Sequence, residues 1–499
     1  MAQEEPLTVR ATETPPPTGA PPAGGSPTAG ELRRGVLPSW AVFGVALGVL
    51  APASTLALAI GVVLEIAGPL SWLTWAVTSA LVVGFAGAIA WLARRFTTTG
   101  GIYVLATRAV GRTGGFFVMT AHLCSSLVSG PACVLGTAIY LEAWLGKFGV
   151  PDNAATLAVL SAAVGALVIA LSLREVKLSA KLLLVIEFCT VAVIVVLLVV
   201  VLVRAPGGMF DGRQFDFSGL KASAILATAG FSVFSLAGFD HSATLGREAA
   251  NPRRAVSVAV LGSVLGCGVL YILATYVIVL GFRDLPMTQL DAPLDLLAAH
   301  YGIGWIGYLI DPGVAISFFG STLGILAGIS RSVYTMARDG LLPRGLARVG
   351  TAHSTPSGAV WSVGGLFLVV GVLGALLARA ETSYGLMGTF SGYMLIGSYG
   401  LTAVTAGVCA VRTRSVRTGI ALCTLLAVVG SALVYWYSFH PFPTGAKAVV
   451  ATLFFAVVLG LVALYCVLRL RRPAVLDLVG AADRDDVDDR GGEPAGERV

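Results

Sequence analysis

The sequence predicts an all-α polytopic membrane protein with twelve transmembrane helices. Two observations carry this prediction. Of the 499 residues, 56% are hydrophobic and only 12% are charged, whereas soluble globular domains carry about 25% charged residues. The apolar residues are gathered into long stretches, and a helix needs about 20 such residues to cross the hydrocarbon core of a bilayer. The lipid bilayer is therefore the expected solvent of most of the chain.

Short connections separate the apolar stretches, and each stretch is long enough for one crossing. The predicted spans are 38–64, 69–92, 115–144, 154–173, 178–203, 222–249, 255–282, 305–336, 357–379, 383–411, 417–439 and 445–470. Spans one to ten form the predicted core (36–411), and residues 412–472 supply the last two helices. Residues 1–35 are rich in Pro, Thr and Gly, and residues 473–499 are rich in Asp, so both are predicted to be disordered tails.

Basic residues alternate along the chain in step with the spans. The connections after the even-numbered spans carry Arg94, Arg95, Arg108, Arg112, Arg174, Lys177, Lys181, Arg247, Arg253, Arg254, Arg331, Arg338, Arg344, Arg348, Arg412, Arg414, Arg417, Arg469, Arg471 and Arg472. The opposite connections carry only Lys147, Arg204, Arg213, Lys221, Arg283, Arg379 and Lys447. Because cytoplasmic loops are enriched in Lys and Arg, we expect a multi-pass plasma-membrane protein with both termini in the cytoplasm.

The same distribution excludes several functions. The net charge of +6 lies in short loops between spans, so no nucleic-acid partner is expected. The seven cysteines stand at irregular spacing inside apolar stretches, which indicates neither a disulfide framework nor a metal site. The sequence contains no phosphate-binding loop of the ATPase type. We therefore expect no cofactor and no catalytic residues.

Two spans are interrupted near their middle. Pro52 in span one has no amide hydrogen, so the helix is expected to kink or unwind between Leu50 and Ala53. In span six, Gly238, Asp240 and His241 interrupt an apolar run. Spans one and six hold corresponding positions in two halves of five helices. Interruptions at matching positions are typical of transporters built from inverted repeats, whose broken helices meet at the membrane midplane.

Unwound backbone supplies hydrogen-bonding groups that only a cavity or a ligand tolerates at this depth. Amides at the start of the second half of span one suit a carboxylate, and freed carbonyls between Ser235 and Gly238 suit an ammonium group. This pattern predicts a site for a zwitterion. The backbone and side chains predicted to bind it belong to Ala51, Ala53, Ser54, Thr55, Ser235, Leu236 and Gly238.

Asp240, His241, Glu187 and His122 lie well inside spans, where a charge is costly and is often functional. Asp240 is expected either to organise the break or to titrate, and its alternative role is to cap the helix after it. His241 could pair with Asp240. Glu187 lies near the middle of span five with no cation close in sequence, so it is a candidate proton carrier or a protonated hydrogen-bonding residue. His122 in span three is a weaker candidate of the same kind. Asp311-Pro312 is expected to cap span eight.

Three motifs resemble the amino acid, polyamine and organocation transporter superfamily. The first is LARRFTTTGGIYVLATRAVGRTGGF (92–116), with a Gly-Gly-x-Tyr turn. The second joins Gly238-Phe239-Asp240 to Glu248-Ala249-Ala250-Asn251-Pro252-Arg253-Arg254. The third is SRSVYTMARDGLLPRGLARV (330–349). The resemblance covers spans one to ten and implies the LeuT-type fold, a five-plus-five inverted repeat with broken helices one and six.

The resemblance also implies transport of amino acids or related amines by alternating access. It places an aromatic gate at Phe234 and, by analogy with LeuT-type proteins that use sodium, hydroxyl ligands for an ion at Ser321 and Thr322. One departure is notable: the family's first break is rich in glycine, whereas this chain has Ala51-Pro52-Ala53-Ser54. Glycine lets backbone approach a ligand closely, so the departure argues against tight binding of a carboxylate and leaves an amino acid, an amine or another small organic solute open as the substrate.

These observations predict a secondary transporter of a small amino acid or amine, coupled to protons or sodium or working by exchange. Two other classes remain as alternatives. An integral-membrane enzyme could use His122 or His241 as a base, and it would need a second acid or a nucleophile that converges on the histidine. A sensor could bind amino acids without moving them, although the chain has no long soluble domain to relay a signal.

Overall fold

A computed structural model describes residues 38–96, 101–174, 180–218, 220–245, 249, 251–287, 292–338, 340–350 and 355–479. The predicted N-terminal tail, most of the predicted C-terminal tail, Glu248 and Asp339 lie outside these described residues. The α-helices are α1 Ser39–Leu50, α2 Pro52–Ser54, α3 Ile60–Ala67, α4 Ser71–Arg95, α5 Gly101–Val110, α6 Arg112–Gly146, α7 Ala154–Leu173, α8 Ala180–Arg204, α9 Ala222–Ser235, α10 Pro252–Gly281, α11 Pro293–His300, α12 Gly307–Arg338, α13 Ser357–Leu377, α14 Ala380–Arg412, α15 Thr418–Phe439, α16 Ala446–Arg471 and α17 Pro473–Asp477.

The described part of the chain contains ten helical segments that are long and apolar enough to cross a membrane. The first of them, Ser39–Arg95, has 57 residues, and a straight helix of that length would measure roughly 85 Å, against a hydrocarbon core of about 30 Å. The segment is divided by the break after α1 and by Gly68, whose φ is 59°. The apolar helix α9 is shorter, with 14 residues. The protein is therefore an all-helical, multi-span membrane protein.

The structure corrects the predicted elements at two places. Span six (222–249) is predicted to be interrupted at Gly238 to Ser242, and its α-helix ends slightly earlier, at Ser235, before a 3₁₀ segment, Phe239–Leu245. Asp311 does not cap span eight, because α12 begins at Gly307 and Pro312 lies inside it. Because α12 begins four residues before Asp311, the Asp311 side chain is buried in the bundle and does not lie at the start of the helix.

Three short helices were not predicted from the sequence. Helix α5 lies in the connection after α4, and helix α11 lies in the connection before α12. Helix α17 forms the start of the predicted C-terminal tail, where Asp477 pairs with Arg112 at the beginning of α6. Each of these helices has ten residues or fewer, so none shows the long apolar stretch by which spans are recognised.

The interior of the bundle is built around the broken first span. In the most apolar stretch of Ser39–Arg95, 83% of the residues are buried, against 17% in that of α16. Helix α14 approaches α9 so closely that a Cβ on Gly392 would lie 1.7 Å from the carbonyl oxygen of Gly230. Because only 22% and 17% of their most apolar stretches are buried, α15 and α16 lie at the periphery. Helices α1 to α3, α6, α9 and α14 surround the centre.

A charged cluster ties three elements together at one end of the bundle. Lys147 follows α6, and its Nζ lies 2.8 Å from Asp295 Oδ2 on α11 and 2.5 Å from Asp311 Oδ2 on α12. Burial acts to lower the pKa of Lys147, but hydrogen bonds to Asp295 and Asp311 outweigh it and raise the pKa. The lysine is therefore charged at every physiological pH, and this stabilisation would be lost only as the pH rises through its raised pKa.

Replacing Lys147 with methionine is expected to destabilise the protein by about 3 kcal/mol, because the buried Asp311 then loses its cation. The Asp311 side chain is 1% exposed, so water cannot replace the lysine. The midpoint of thermal unfolding in detergent measures this effect. A second substitution, Asp311→Asn, should recover part of the loss in the Lys147→Met background, since it removes the unpaired charge. An unchanged midpoint in Lys147→Met would show that the cluster contributes nothing.

Candidate functional site

The break in span one lies at Ala51. Helix α1 ends at Leu50, and Ala51 adopts a left-handed conformation with φ 48° and ψ 67°. The Ala51 amide still donates to the carbonyl of Leu47 over 2.9 Å. Because Pro52 cannot donate a hydrogen bond and its ring excludes the preceding turn, the chain changes direction here and restarts as α2. A left-handed alanine is strained, so packing around the break must hold it.

A carboxylate from span five meets the restarted helix. The backbone amide of Ala53 donates to Glu187 Oε1 over 2.7 Å. Glu187 lies on α8 and is 7% exposed. The first amides of a helix have no partner within it, and a carboxylate is the acceptor that the positive end of the helix favours. Glu187, found in the sequence as an isolated acid, therefore joins α8 to the break of span one.

The break in span six faces the break in span one. Helix α9 ends at Ser235, and Gly238 has a φ of 110°. An ideal Cβ on Gly238 would lie 2.9 Å from Val49 Cγ1 and 3.0 Å from the backbone nitrogen of Leu50. On the other side of the contact, Thr55 Oγ1 donates to the Ser235 carbonyl over 3.3 Å. The two breaks therefore touch, and only glycine fits at the closest point.

Replacing Gly238 with alanine is expected to reduce transport by at least about tenfold and to lower stability by about 1–3 kcal/mol, because the new methyl group is both strained and in collision. Substrate uptake and the midpoint of thermal unfolding measure the two effects. Gly266→Ala on α10 is the matched control, since a Cβ there meets no atom within 4 Å. If uptake and the unfolding midpoint change equally in the two variants, the close contact between the breaks is not required for transport or stability.

A cavity of about 50 Å³ lies between the breaks. It is bounded by the two breaks and by α6, α12 and α14. Its lining residues are Val49, Leu50, Ser54, Thr55, His122, Ser125, Ser126, Ser129, Cys133, Phe234, Ser235, Ala237, Gly238, His241, Phe318, Ser321, Ile325, Tyr384, Leu395 and Tyr399. A water needs roughly 10–15 Å³ of such space, so in this conformation the cavity fits only a compact solute.

A cluster of ionisable side chains lies at the cavity, where His122 and His241 line the wall and Asp240 stands behind them. Asp240 accepts a hydrogen bond of 2.7 Å from the Tyr399 hydroxyl on α14. Its other contacts are two imidazoles: His122 Nε2 on α6 and His241 Nδ1 each lie 3.6 Å from a carboxylate oxygen. Asp240 is 4% exposed, and a buried carboxylate requires such partners. The carboxylate thus connects the break in span six to α6 and α14.

Aromatic rings close the cavity on one side. Phe234 contacts Tyr384 on α14 with ring centroids 5.9 Å apart, and Phe318 on α12 contacts Tyr384 at 5.7 Å. Both contacts are edge to face, the arrangement that aromatic pairs prefer. Phe234, expected to act as a gate, is 9% exposed and belongs to this cluster. Its gating role stays a prediction.

The hydroxyls expected to hold an ion have different partners. Ser321 Oγ donates to the carbonyl of Val49 over 2.7 Å, just before the break in span one. Thr322 Oγ1 donates to the carbonyl of Phe318 over 2.9 Å within its own helix, the usual behaviour of a hydroxyl in a membrane helix. Ser321 therefore contacts the break, whereas Thr322 serves its own helix. Their role as ion ligands stays a prediction.

The structure separates the predicted site residues into two groups. Those that line the cavity are Ser54, Thr55, Phe234, Ser235, Gly238, His122, His241 and Ser321. Those that stand behind it are Ala51, Ala53, Leu236, Asp240, Glu187 and Thr322. In the second group, Ala51, Ala53 and Leu236 belong to the backbone of the breaks, Glu187 accepts a hydrogen bond from that backbone, and Thr322 bonds within its own helix. Asp240 contacts the side chains of Tyr399, His122 and His241, and its role in organising the break, in titration or as a cap stays a prediction.

Sequence reasoning missed several residues of the cavity wall, above all Tyr399, Tyr384, Phe318 and the polar face of α6. That face had a recognisable signal. His122, Ser126, Ser129 and Cys133 are spaced by four, three and four residues in an apolar span, and this spacing places them on one side of a helix. Tyr399 had no local signal, because its role depends on Asp240, which is 159 residues away.

Known proteins resemble this chain over most of its length. The family model described as amino acid permease matches residues 37–464. A protein of Mycobacterium tuberculosis strain H37Rv described as an uncharacterized transporter is 31% identical over 70% of this chain and 76% of its own. The low-affinity putrescine importer of Escherichia coli strain K12 is 27% identical over 60% of this chain and 66% of its own. Cationic amino acid transporter 4 of Mus musculus is 30% identical over 63% and 50%. The chain therefore belongs to the amino acid permease family, within the amino acid, polyamine and organocation superfamily.

Proposed function

We propose that this protein is a secondary active transporter that moves a small amino acid or amine across the plasma membrane by alternating access. In this account the twelve spans form a LeuT-type five-plus-five inverted repeat with two peripheral helices, and both termini are cytoplasmic. The spans are α1 to α3 together, then α4, α6, α7, α8, α9 with the 3₁₀ segment, α10, α12, α13, α14, α15 and α16. Basic residues at the even-numbered connections support this topology.

One observation carries the proposal: two broken helices meet at a single cavity deep in the bundle. Leu50 and Ser54 border it from one break, and Ser235 and Gly238 border it from the other. Irregular backbone inside a membrane protein is stable only where it is buried or lines such a cavity. Broken helices also supply hinges about which one half of a repeat can move against the other. The cavity is therefore the proposed substrate site.

The proposed coupling ion is the proton, and Glu187 is its proposed carrier. The carboxylate holds the Ala53 amide only while it can accept a hydrogen bond, and protonation weakens an acceptor that faces the positive end of a helix. Loss of this contact would release α2 from α8 and free the first span to move. Binding of a proton would thus be linked to the conformation of the break, which is the requirement for coupled transport.

The two other classes have less support. An enzyme would need a nucleophile or a second acid beside the histidines; within the described ranges both imidazoles have a nitrogen near Asp240, which also accepts a hydrogen bond from the Tyr399 hydroxyl. A sensor would bind substrate in the same cavity but would not carry it across. Family membership favours transport over both.

Purified protein in sealed proteoliposomes distinguishes these functions. Vesicles loaded with unlabelled amino acids or amines should take up the same labelled compound by exchange, and an inward proton gradient should increase net uptake. Empty vesicles and vesicles that contain the Gly238→Ala variant are the controls. Binding without exchange or accumulation would indicate a sensor and contradict the proposal. Chemical conversion of the labelled compound would indicate an enzyme.

A further inference from the structure

We infer that the substrate of this cavity is a compact amine that carries no carboxylate. The inference rests on the proposed transport function and narrows its substrate class. Three observations support it. The hydrogen-bond donors at the break in span one already have acceptors, and the residues that line the cavity favour a cation over an anion. One buried hydroxyl at the cavity has no partner among the described residues.

The donors that could bind a substrate carboxylate are already used by the protein. Among the first four residues of the restarted helix, Pro52 has no amide hydrogen, and Ala53 donates to Glu187 over 2.7 Å. The amides of Ser54 and Thr55 donate to the carbonyl of Ala51 over 3.1 Å and 3.4 Å. A helix start attracts an anion because these amides lack partners. Here each amide has one, and the anion at the helix start is the protein's own.

Side chains do not replace these donors. Among the described residues around the cavity, none is Lys, Arg, Asp or Glu. Each of the two histidines that line it has one ring nitrogen 3.6 Å from a carboxylate oxygen of Asp240. A proton on either imidazole is therefore offset by that carboxylate. The second nitrogen of His122, Nδ1, is buried and has no hydrogen-bond partner among the described residues; in a neutral imidazole whose Nε2–H faces Asp240 this nitrogen is an acceptor, which suits an ammonium group and not a carboxylate. A substrate carboxylate in the cavity would lose its hydration without gaining a cation, and this loss is large.

A cation, in contrast, meets favourable groups on several sides. Helices α1 and α9 both end at the cavity, at Leu50 and Ser235, and the C-terminal end of a helix carries partial negative charge. The aromatic rings of Phe234 and Phe318 also border the cavity, and aromatic faces attract ammonium groups. These features favour the amine part of a substrate and leave its carboxylate without a partner.

The Ser235 hydroxyl gives the amine a specific contact. It is buried, it borders the cavity, and it has no hydrogen-bond partner among the described residues. Ser235 as a whole is 6% exposed. A buried hydroxyl without a partner is unfavourable in the empty protein, and an ammonium group placed beside it would supply the missing donor. Ser235 is thus assigned as a specificity-determining residue for the amine.

Matched pairs of compounds that differ only by a carboxylate test the inference. Suitable pairs are ethanolamine and serine, isobutylamine and valine, and putrescine and ornithine, measured for binding by thermal shift and for exchange in proteoliposomes. In each pair that binds, the amine is expected to bind at least about tenfold more tightly than the amino acid, as expected for a carboxylate that is left without a partner. Equal or tighter binding of the amino acids would overturn the inference while leaving transport intact. Exchange of neither member of any pair would overturn the proposed function as well.

A pair of serine variants tests the assignment of Ser235. Ser235→Ala is expected to weaken binding of the amine about fivefold or more, because a hydrogen bond to a charged group is lost. Ser161→Ala is the matched control, since Ser161 on α7 is also buried, has no partner among the described residues and does not border the cavity. Unchanged affinity in Ser235→Ala, or an equal loss in both variants, would overturn the assignment.

Discussion

Asparagine in place of Asp240 is expected to slow transport about 100-fold or more while changing substrate affinity less than about tenfold, a loss of roughly 2.7 kcal/mol that falls mainly on turnover. Asp240 touches side chains from α6 and α14 as well as its own neighbour His241. Asparagine keeps the size and one acceptor, but it removes the charge that orients two imidazoles. Initial rates of exchange and equilibrium binding on the same preparation separate the two effects.

Tyr399→Phe is the companion variant for Asp240→Asn. It removes only the hydrogen bond of 2.7 Å between the tyrosine hydroxyl and the carboxylate, so we expect a smaller loss of about tenfold. Asp216→Asn in the connection before α9 controls for loss of an aspartate elsewhere, since Asp216 is exposed. Full activity of Asp240→Asn would reduce Asp240 to a capping residue, as its position in the sequence also allowed.

Glutamine in place of Glu187 is expected to abolish accumulation driven by a pH gradient while exchange continues. Glutamine is neutral, as protonated Glu187 is, and it still offers an oxygen to the Ala53 amide, so the break should stay folded and mobile enough for exchange, but the side chain no longer titrates. With one proton per substrate, a gradient of one pH unit supplies about 1.4 kcal/mol, or roughly tenfold accumulation. The variant should reach a ratio near one. Labelled substrate inside and outside proteoliposomes gives this ratio.

The Glu187→Ala variant distinguishes the two proposed roles of Glu187, proton transfer and support of the break in span one. Alanine removes both the titratable group and the acceptor, so it is expected to lower stability by about 1–3 kcal/mol in addition to uncoupling, because a buried amide loses its partner. If Glu187→Gln accumulates substrate to the same ratio as the unaltered protein, Glu187 is not in the proton path, and its contact with Ala53 is structural only.

The sequence predicted the elements whose signals are local. Pro52 and Gly238 change backbone conformation by their own chemistry, so the positions of the breaks follow from the sequence to within a few residues. The length and hydropathy of the long spans are also local properties. The resemblance to the superfamily, carried by short motifs around Asp240 and Arg331, is confirmed by the match over residues 37–464.

The partners of the ionisable residues could not be predicted in this way. Glu187 stands out in the sequence as an unusual residue, yet its contact with Ala53 joins positions 134 residues apart. The same holds for Lys147 and Asp311, whose separation is 164 residues. Such contacts depend on how the helices pack, and the sequence pattern of a single span does not show which other helices lie beside it. The residue at which the helix of span six ends was likewise not predicted: apolar residues continue past Ser235 to the interruption predicted at Gly238, although the α-helix stops at Ser235.

We propose that the cavity between the two breaks holds the transported substrate, and the accessibility of the Cys133 thiol reports whether it does. Cys133 on α6 borders the cavity, whereas Cys409 is buried elsewhere on α14. Two variants, each retaining one of these cysteines and no other, can be treated with a small thiol reagent in proteoliposomes. We expect a transported substrate to slow modification of Cys133 and to leave that of Cys409 unchanged. If saturating substrate leaves the rate at Cys133 unchanged while transport proceeds, the substrate binds elsewhere and not in this cavity.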